Sequence, residues 1–127
     1  MFISHIAIYT NDLERLKDFY IRFFSGKSNE KYKNNKTGLE TYFISFDSGT
    51  RLELMQRPDI KPAEMRDRSE GLTHLAFSAG TRENVDALTR KLVEAGYTLH
   101  SAPRVTGDGY YESSVLDPDS NIIEITD

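Results

Sequence analysis

Two histidine–glutamate pairs occupy matching positions in the two halves of this 127-residue chain. Glu53 follows His5 by 48 residues, and Glu124 follows His74 by 50. Imidazole nitrogens and carboxylate oxygens form a donor set suited to zinc, nickel, cobalt, manganese or ferrous iron. The pattern therefore predicts a divalent metal ion held by these four side chains, and metal-assisted chemistry on a small molecule.

All four candidate ligands lie in short hydrophobic runs that are typical of β-strands. Because side chains alternate between the two faces of a strand, each candidate points away from its apolar neighbours. Glu53, for example, lies between Leu52 and Leu54. We expect the apolar neighbours to pack under helices and the four polar side chains to project from the helix-free face of a sheet. If that face curves inward, the four can meet in a hollow.

The first half, residues 1–56, predicts a strand, a helix and three further strands. The run FISHIAIYT is the first strand, and Asn11 and Asp12 can cap the helix DLERLKDFYIRFF. That helix has one apolar face, which consists of Leu13, Leu16, Phe19, Tyr20 and Phe23. SGKSN breaks it, and the three predicted strands are KYKNN, LETYFISFD and TRLELMQ.

The second half, residues 72–127, repeats this order after a charged, proline-containing connector at 57–71. LTHLAFSAG predicts a strand, and Thr81 can cap a helix whose apolar face contains Val85, Leu88 and Leu92. Gly96 ends that helix, and YTLHS, YYESSVLD and NIIEITD follow as strands. The chain is therefore predicted to be a tandem repeat of one strand–helix–three-strand unit.

The composition is that of one globular domain, since 38% of the residues are hydrophobic and 28% are charged. A net charge of −4 gives no basic surface for nucleic acid, and no apolar run reaches the ~20 residues of a membrane span. The absence of cysteine excludes disulfides and thiolate ligands. We expect a cytoplasmic protein with a small-molecule substrate and no nucleic-acid or membrane partner.

These features resemble the vicinal-oxygen-chelate superfamily of glyoxalase I, bleomycin-resistance proteins and extradiol dioxygenases. The resemblance covers essentially the whole chain and is carried by FISHIAIYTNDLERLKDFY, RLELMQRP, GLTHLAFSA and VLDPDSNIIEI. It implies an α+β fold of tandem βαβββ modules that form an eight-stranded, incompletely closed barrel with helices outside. It also implies a single domain over 1–127 and a homodimer, with metal ligands drawn from one chain or from two.

By this resemblance, His5, Glu53, His74 and Glu124 each match a metal-ligand position. The full set is similar to that of glyoxalase I. Extradiol dioxygenases and fosfomycin-resistance enzymes lack a ligand at the Glu53 position, and the related epimerases carry glutamine there. The resemblance therefore favours a glyoxalase-like lyase or isomerase. The third histidine, His100, has no partner in the first half and is expected to be structural or exposed.

Two positions depart from bacterial glyoxalase I. Tyr9 stands where those enzymes carry an arginine, and Arg57 stands where they carry an asparagine; both family residues help to hold glutathione. A glutathione hemithioacetal is therefore expected to be a poor substrate. The guanidinium fork of Arg57, its set of paired N–H donors, can bind a carboxylate or phosphate. This favours a small anionic substrate with adjacent oxygens. Tyr42, Tyr110 and Tyr111 are further candidates for substrate binding.

The mechanism that the resemblance implies is loss of a carbon-bound proton, with a Lewis-acidic metal stabilising the resulting enediolate. Glu124 is the expected general base, with Glu53 as its near-symmetric alternative. Two other functions stay open. One is a non-catalytic binding protein of the bleomycin-resistance type, although those proteins usually lack the ligand set. The other is a non-haem iron dioxygenase.

Overall fold

The computed structural model describes residues 2–61 and 70–127. Most of the predicted connector, residues 62–69, lies outside the described residues. The chain divides into two compact units, Met1–Ala63 and Glu64–Asp127. Among the described residues, no helix is both long and apolar enough to cross a membrane.

The first unit contains one helix and a five-stranded sheet. Its elements in chain order are β1 (His5–Tyr9), α1 (Leu13–Phe24), β2 (Lys27–Ser28), β3 (Tyr32–Lys33), β4 (Glu40–Ser45) and β5 (Arg51–Gln56). The strand order is β1-β5-β4-β2, and β3 also pairs with β4. β1 runs parallel to β5, and the other pairings are antiparallel.

The second unit contains one helix and a four-stranded sheet. Its elements are β6 (His74–Ser78), α2 (Arg82–Glu94), β7 (Leu99–Val105), β8 (Tyr111–Leu116) and β9 (Ile122–Thr126). The strand order β6-β9-β8-β7 has the same plan as the first sheet, with β6 parallel to β9. The predicted α+β fold with a repeated βαβββ order is confirmed.

Two details of the prediction were wrong. The segment 25–29, predicted only to break the helix, contains β2, so two short strands stand where one was expected. The strand predicted at 97–101 is longer and shifted, because β7 extends to Val105 through two irregularities in its pairing with β8. Edge strands of this kind are held by one neighbour only, and their limits are weakly marked in sequence.

Both helices begin at the predicted caps. The Asp12 carboxylate accepts a hydrogen bond from the Arg15 backbone N–H at 3.0 Å, and the Thr81 hydroxyl accepts one from the Asn84 N–H at 3.2 Å. α2 ends before Gly96, which has a φ of +91° that favours glycine.

Each helix packs on one face of its own sheet. All five residues predicted for the apolar face of α1 are buried, together with Ile44, Leu52 and Leu54 of the sheet. In α2, Val85 and Leu92 are buried as predicted, whereas Leu88 is half-buried and Thr89 takes a buried position instead. The opposite, helix-free face of each sheet carries the candidate ligands.

Candidate metal and substrate site

The first histidine–glutamate pair lies on two neighbouring parallel strands. His5 pairs with Arg51 across β1 and β5, and Ala7 pairs with Glu53, so the ligands are offset by two residues on the same face. His5 Nε2 lies 3.6 Å from Glu53 Oε2. The side chains are 40% and 19% exposed, which leaves the histidine accessible and the carboxylate partly shielded.

The second pair repeats this geometry in the other unit. His74 pairs with Ile122, and Ala76 pairs with Glu124, which gives the same two-residue offset between parallel strands. His74 Nε2 lies 3.6 Å from Glu124 Oε2, and the side chains are 40% and 20% exposed. Two sequences that differ at most positions therefore build the same local arrangement.

A hydroxyl group contacts the second nitrogen of each imidazole. Ser4 Oγ lies 3.4 Å from His5 Nδ1, and Thr73 Oγ1 lies 3.1 Å from His74 Nδ1. If Nδ1 carries the proton and donates it to the hydroxyl oxygen, the Nε2 lone pair is directed toward the glutamate and can bind a metal. Sequence reasoning missed both residues, although a hydroxyl residue directly precedes each histidine.

The two pairs fit a divalent metal as two half-sites. Each offers one imidazole nitrogen and one carboxylate oxygen, a donor set for zinc and its neighbours in the first transition series. Among the described residues, no group of three or more histidine, aspartate or glutamate side chains is placed to hold a metal ion. Each pair alone supplies two of the four predicted ligands.

On the helix-free face of the first unit, an aromatic ring and an arginine lie beside the glutamate. Phe43 pairs directly with Glu53, and its ring meets the His5 imidazole edge-on at 5.5 Å. The Arg51 guanidinium lies 4.6 Å from the centre of the Phe43 ring and donates a hydrogen bond to Ser4 Oγ at 3.1 Å. Arg51 thus connects the aromatic ring with the hydroxyl behind the histidine.

The same face of the second unit is polar. Ser114 pairs with Glu124, and Glu112 lies two residues along β8 on the same face. Arg104 pairs with Glu112 across β7 and β8, and its Nη2 lies 3.3 Å from Glu112 Oε1. Burial raises the pKa of the Glu124 carboxyl, and Glu112 raises it further, against the opposing effects of His74 and Arg104.

The structure places Tyr9 and Arg57 together. Tyr9 shares the helix-free face of β1 with His5, is 50% exposed and interacts with the Arg57 guanidinium. However, Arg57 already forms a bidentate pair with Asp59, with Nε–Oδ1 and Nη2–Oδ2 distances of 2.9 and 3.0 Å. The fork that was predicted for a substrate anion is therefore occupied by a neighbouring carboxylate.

Two of the other tyrosines face their helices. The Tyr42 hydroxyl donates to Glu14 of α1 at 3.0 Å, and the Tyr111 hydroxyl donates to Asp86 of α2 at 2.8 Å. This placement gives no support to the substrate roles predicted for them. Tyr110 is 57% exposed in the turn before β8. His100 is exposed on β7, in agreement with its expected structural or exposed position.

Comparison with known proteins identifies the family. Residues 2–125 match the model of the Glyoxalase/Bleomycin resistance protein/Dioxygenase superfamily. The chain belongs to this superfamily, as its sequence motifs predicted.

Similar proteins agree with this assignment. The chain is 32% identical to the uncharacterized protein YqjT of Bacillus subtilis (strain 168), over 97% of this chain and 96% of that protein. A glyoxylase/bleomycin resistance protein/dioxygenase domain from Frankia has a TM-score of 0.83 at 18% identity, covering 99% of this chain and 96% of that one. Glyoxalase I from Zea mays has a TM-score of 0.81 at 20% identity, covering 98% of this chain and 43% of the enzyme. The last two likenesses show the fold alone.

Proposed function

We propose that the protein is a divalent-metal-dependent, glyoxalase-like lyase or isomerase that acts on a small substrate with two adjacent oxygens. The observation that carries the proposal is the duplicated half-site: Nε2 of a histidine faces a glutamate oxygen at 3.6 Å in each unit. A carboxylate that merely faced solvent would not require the same offset, distance and hydroxyl contact twice.

In this proposal, His5, Glu53, His74 and Glu124 together hold one metal ion. When bound, the ion would supply Lewis acidity toward the substrate oxygens. With Nδ1 protonated, Ser4 and Thr73 would accept its hydrogen bond, which would leave Nε2 of each imidazole for the metal. The proposal does not depend on whether one chain or two complete the site.

Glu124 is the proposed general base. Its Oε2 lies 3.6 Å from His74 Nε2, and in this proposal the carboxylate accepts a carbon-bound proton from the substrate. Partial burial raises the pKa of the Glu124 carboxyl, and Glu112 on the neighbouring strand raises it further. Glu53 pairs with Phe43 and has the uncharged Thr41 at the register position of Glu112, so it is the second candidate for the base.

A substrate panel tests this function. Protein loaded in turn with Zn²⁺, Ni²⁺, Co²⁺, Mn²⁺ and Fe²⁺ is assayed with hemithioacetals, 2-oxo acids, acyl-CoA thioesters and catechols. The proposal expects metal-dependent proton exchange or isomerisation of at least one of these classes. Oxygen consumption with a catechol would instead indicate an iron dioxygenase, and tight binding without turnover would indicate a binding protein.

The glutathione–methylglyoxal hemithioacetal is expected to perform poorly, with kcat/KM below ~10⁶ M⁻¹s⁻¹. The reason is that Tyr9 and Arg57, which is paired with Asp59, stand where bacterial glyoxalase I is expected to carry residues that hold glutathione. Loss of such remote contacts reduces turnover as well as binding. A higher value would make the protein an ordinary glyoxalase I. The homodimer and the cytoplasmic location stay predictions.

A further inference from the structure

A guanidinium group lies on the helix-free face of the second unit, two strands from Glu124. Arg104 on β7 pairs with Glu112 on β8, and β8 pairs in turn with the Glu124-bearing strand β9. At ~4.8 Å per strand, the backbones of β7 and β9 are separated by about 10 Å. A small molecule that reaches Glu124 at one end can therefore reach the long side chain of Arg104 with the other.

The Arg104 side chain is held in place and still accessible. Its Nη1 donates to Ser101 Oγ at 2.6 Å, and its Nη2 donates to Glu112 Oε1 at 3.3 Å. These contacts use two of the five N–H groups of a guanidinium, and the side chain is 52% exposed. An arginine that is already oriented loses less conformational freedom when it binds a carboxylate.

The fold itself does not require this ion pair. In the first unit, the residues at the corresponding register positions are Thr41 and Tyr32, which pair with each other across β4 and β3 and carry no charge. The other arginine considered for an anion, Arg57, has its fork closed by Asp59. Arg104 therefore keeps part of its guanidinium unpaired, as does Arg51 of the first unit, but Arg104 lies on the sheet that carries Glu124.

We propose that Arg104 binds a carboxylate of the substrate, with Glu112 and Ser101 as positioning residues. The substrate class is then a small acid with adjacent oxygens at one end and a carboxylate at the other. This inference rests on the proposed function, because it assigns the adjacent oxygens to the metal end of the site. A metal ion near Glu124 would also offset the negative charges of Glu112 and Glu124, which would otherwise repel the substrate carboxylate.

Binding of three hydroxamates to the Ni²⁺-loaded protein tests the inference without turnover. Acetohydroxamate chelates a metal through two adjacent oxygens, butyrohydroxamate adds a neutral tail, and succinic monohydroxamate adds a tail of similar length that ends in a carboxylate. Calorimetry should give a dissociation constant about tenfold lower for the succinic compound than for the butyro compound, since the tail forms a charge-assisted hydrogen bond.

The Arg104→Gln variant should lose this tenfold preference while it binds acetohydroxamate like the parent. Arg104→Lys, which keeps the charge but not the fork, should show an intermediate preference and serves if the glutamine variant does not fold. Arg82→Gln is the matched control, because Arg82 is a half-exposed arginine of α2 paired with Asp127 and should keep the full preference.

Three results would overturn the inference. The parent could show no preference for the carboxylate tail, or the preference could persist in Arg104→Gln. In either case metal and acetohydroxamate binding would still support the proposed function. If the parent bound neither Ni²⁺ nor acetohydroxamate, the proposed function itself would fail, and the inference would fail with it.

Discussion

The two units use one scaffold and one histidine–glutamate pair, but they surround the glutamate differently. Beside Glu53 lies Phe43, and beside Glu124 lies Ser114 with the Glu112–Arg104 ion pair close by. The strand pairings fix where the ligands stand, because the same parallel offset occurs in both sheets. The neighbouring residues are free to differ, and they can assign different roles to two equivalent carboxylates.

The two helices also differ in the polarity of the side chains that they bury. α1 packs a cluster of aromatic rings, in which Phe19 contacts Tyr20, Phe23 and Phe24 at ring separations of 5.2 to 5.7 Å. α2 buries smaller side chains, and its Thr89 hydroxyl lies 2.6 Å from the Ser113 hydroxyl of β8. The first unit is thus held by apolar contacts to a greater extent, and the second relies in part on a buried polar pair.

The largest expected effect is a loss of turnover that differs between variants of the two glutamates. Glu124→Gln should reduce turnover by about 10²- to 10⁴-fold, because glutamine cannot accept a proton, while its amide oxygen still allows metal retention. Glu53→Gln, the matched variant, should reduce turnover less. The measurement is kcat with the substrate found in the panel, together with the metal content of each variant. Equal losses in both variants would show that the different surroundings do not select the base.

Removal of the central ring of the aromatic cluster should have the next largest effect. Phe19→Ala should lower the free energy of unfolding by about 3–5 kcal/mol, because the cavity adds to the lost transfer free energy of a 1% exposed ring. Urea unfolding measures it, with the exposed Asp18→Ala on the same helix as the control, which should change stability by less than about 0.5 kcal/mol. A loss below about 1 kcal/mol for Phe19→Ala would contradict the difference drawn between the helices.

The buried hydroxyl pair of the second unit should contribute less to the free energy of unfolding than the Phe19 ring does. Thr89→Val leaves the fully buried Ser113 hydroxyl without this partner and should cost about 1–3 kcal/mol. The double variant Thr89→Val, Ser113→Ala removes both hydroxyls and should recover part of the loss. If the double variant were as unstable as the sum of the single ones, the pair would not be coupled.

The smallest expected effect is the pH-dependent stabilisation of the fold by ionised Glu14. Hydrogen bonds from Lys17, Lys31 and Tyr42 lower the pKa of Glu14 from 4.5 to about 2, with Lys17 as the main cause. Because the folded-state pKa is depressed, the stabilisation is complete above pH 4.5 and is lost as the pH falls toward 2. The Glu14 side chain is 51% exposed, so solvent screening limits the contribution to under about 1 kcal/mol.

Glu14→Gln should therefore be slightly less stable than the parent at pH 6, and the difference should shrink between pH 4.5 and pH 2. Thermal unfolding at a series of pH values measures this trend. Asp18→Asn on the same helix controls for the general loss of a negative charge. A destabilisation that did not vary with pH would show that Glu14 acts through packing and not through its charge.

Much of the fold follows from local sequence patterns. The helix limits follow from the caps Asp12 and Thr81 and from apolar residues at helical spacing, and Leu52 and Leu54 mark which face of β5 is buried. The candidate ligands follow from the same alternation. These features depend on residues close together in the chain, which is why one sequence is enough to predict them.

The surroundings of the site could not be predicted in this way. Tyr42 faces α1, and its neighbour Phe43 faces Glu53, because the antiparallel register of β4 against β5 decides the face. A shift of one residue would exchange them, and the register depends on turn geometry that the sequence marks weakly. The approach of Arg104 to Glu112 depends likewise on the irregular pairing of β7 with β8.

Metal analysis of protein prepared without a histidine tag is the most direct test of the central claim, that the duplicated pairs hold a metal. We expect about one divalent ion per chain, as a four-ligand site built from two half-sites requires. The double variant His5→Ala, His74→Ala should keep the circular dichroism spectrum of the parent and lose the metal. Full metal occupancy in that variant, or no metal in the parent after incubation with each of the five ions, would contradict the account.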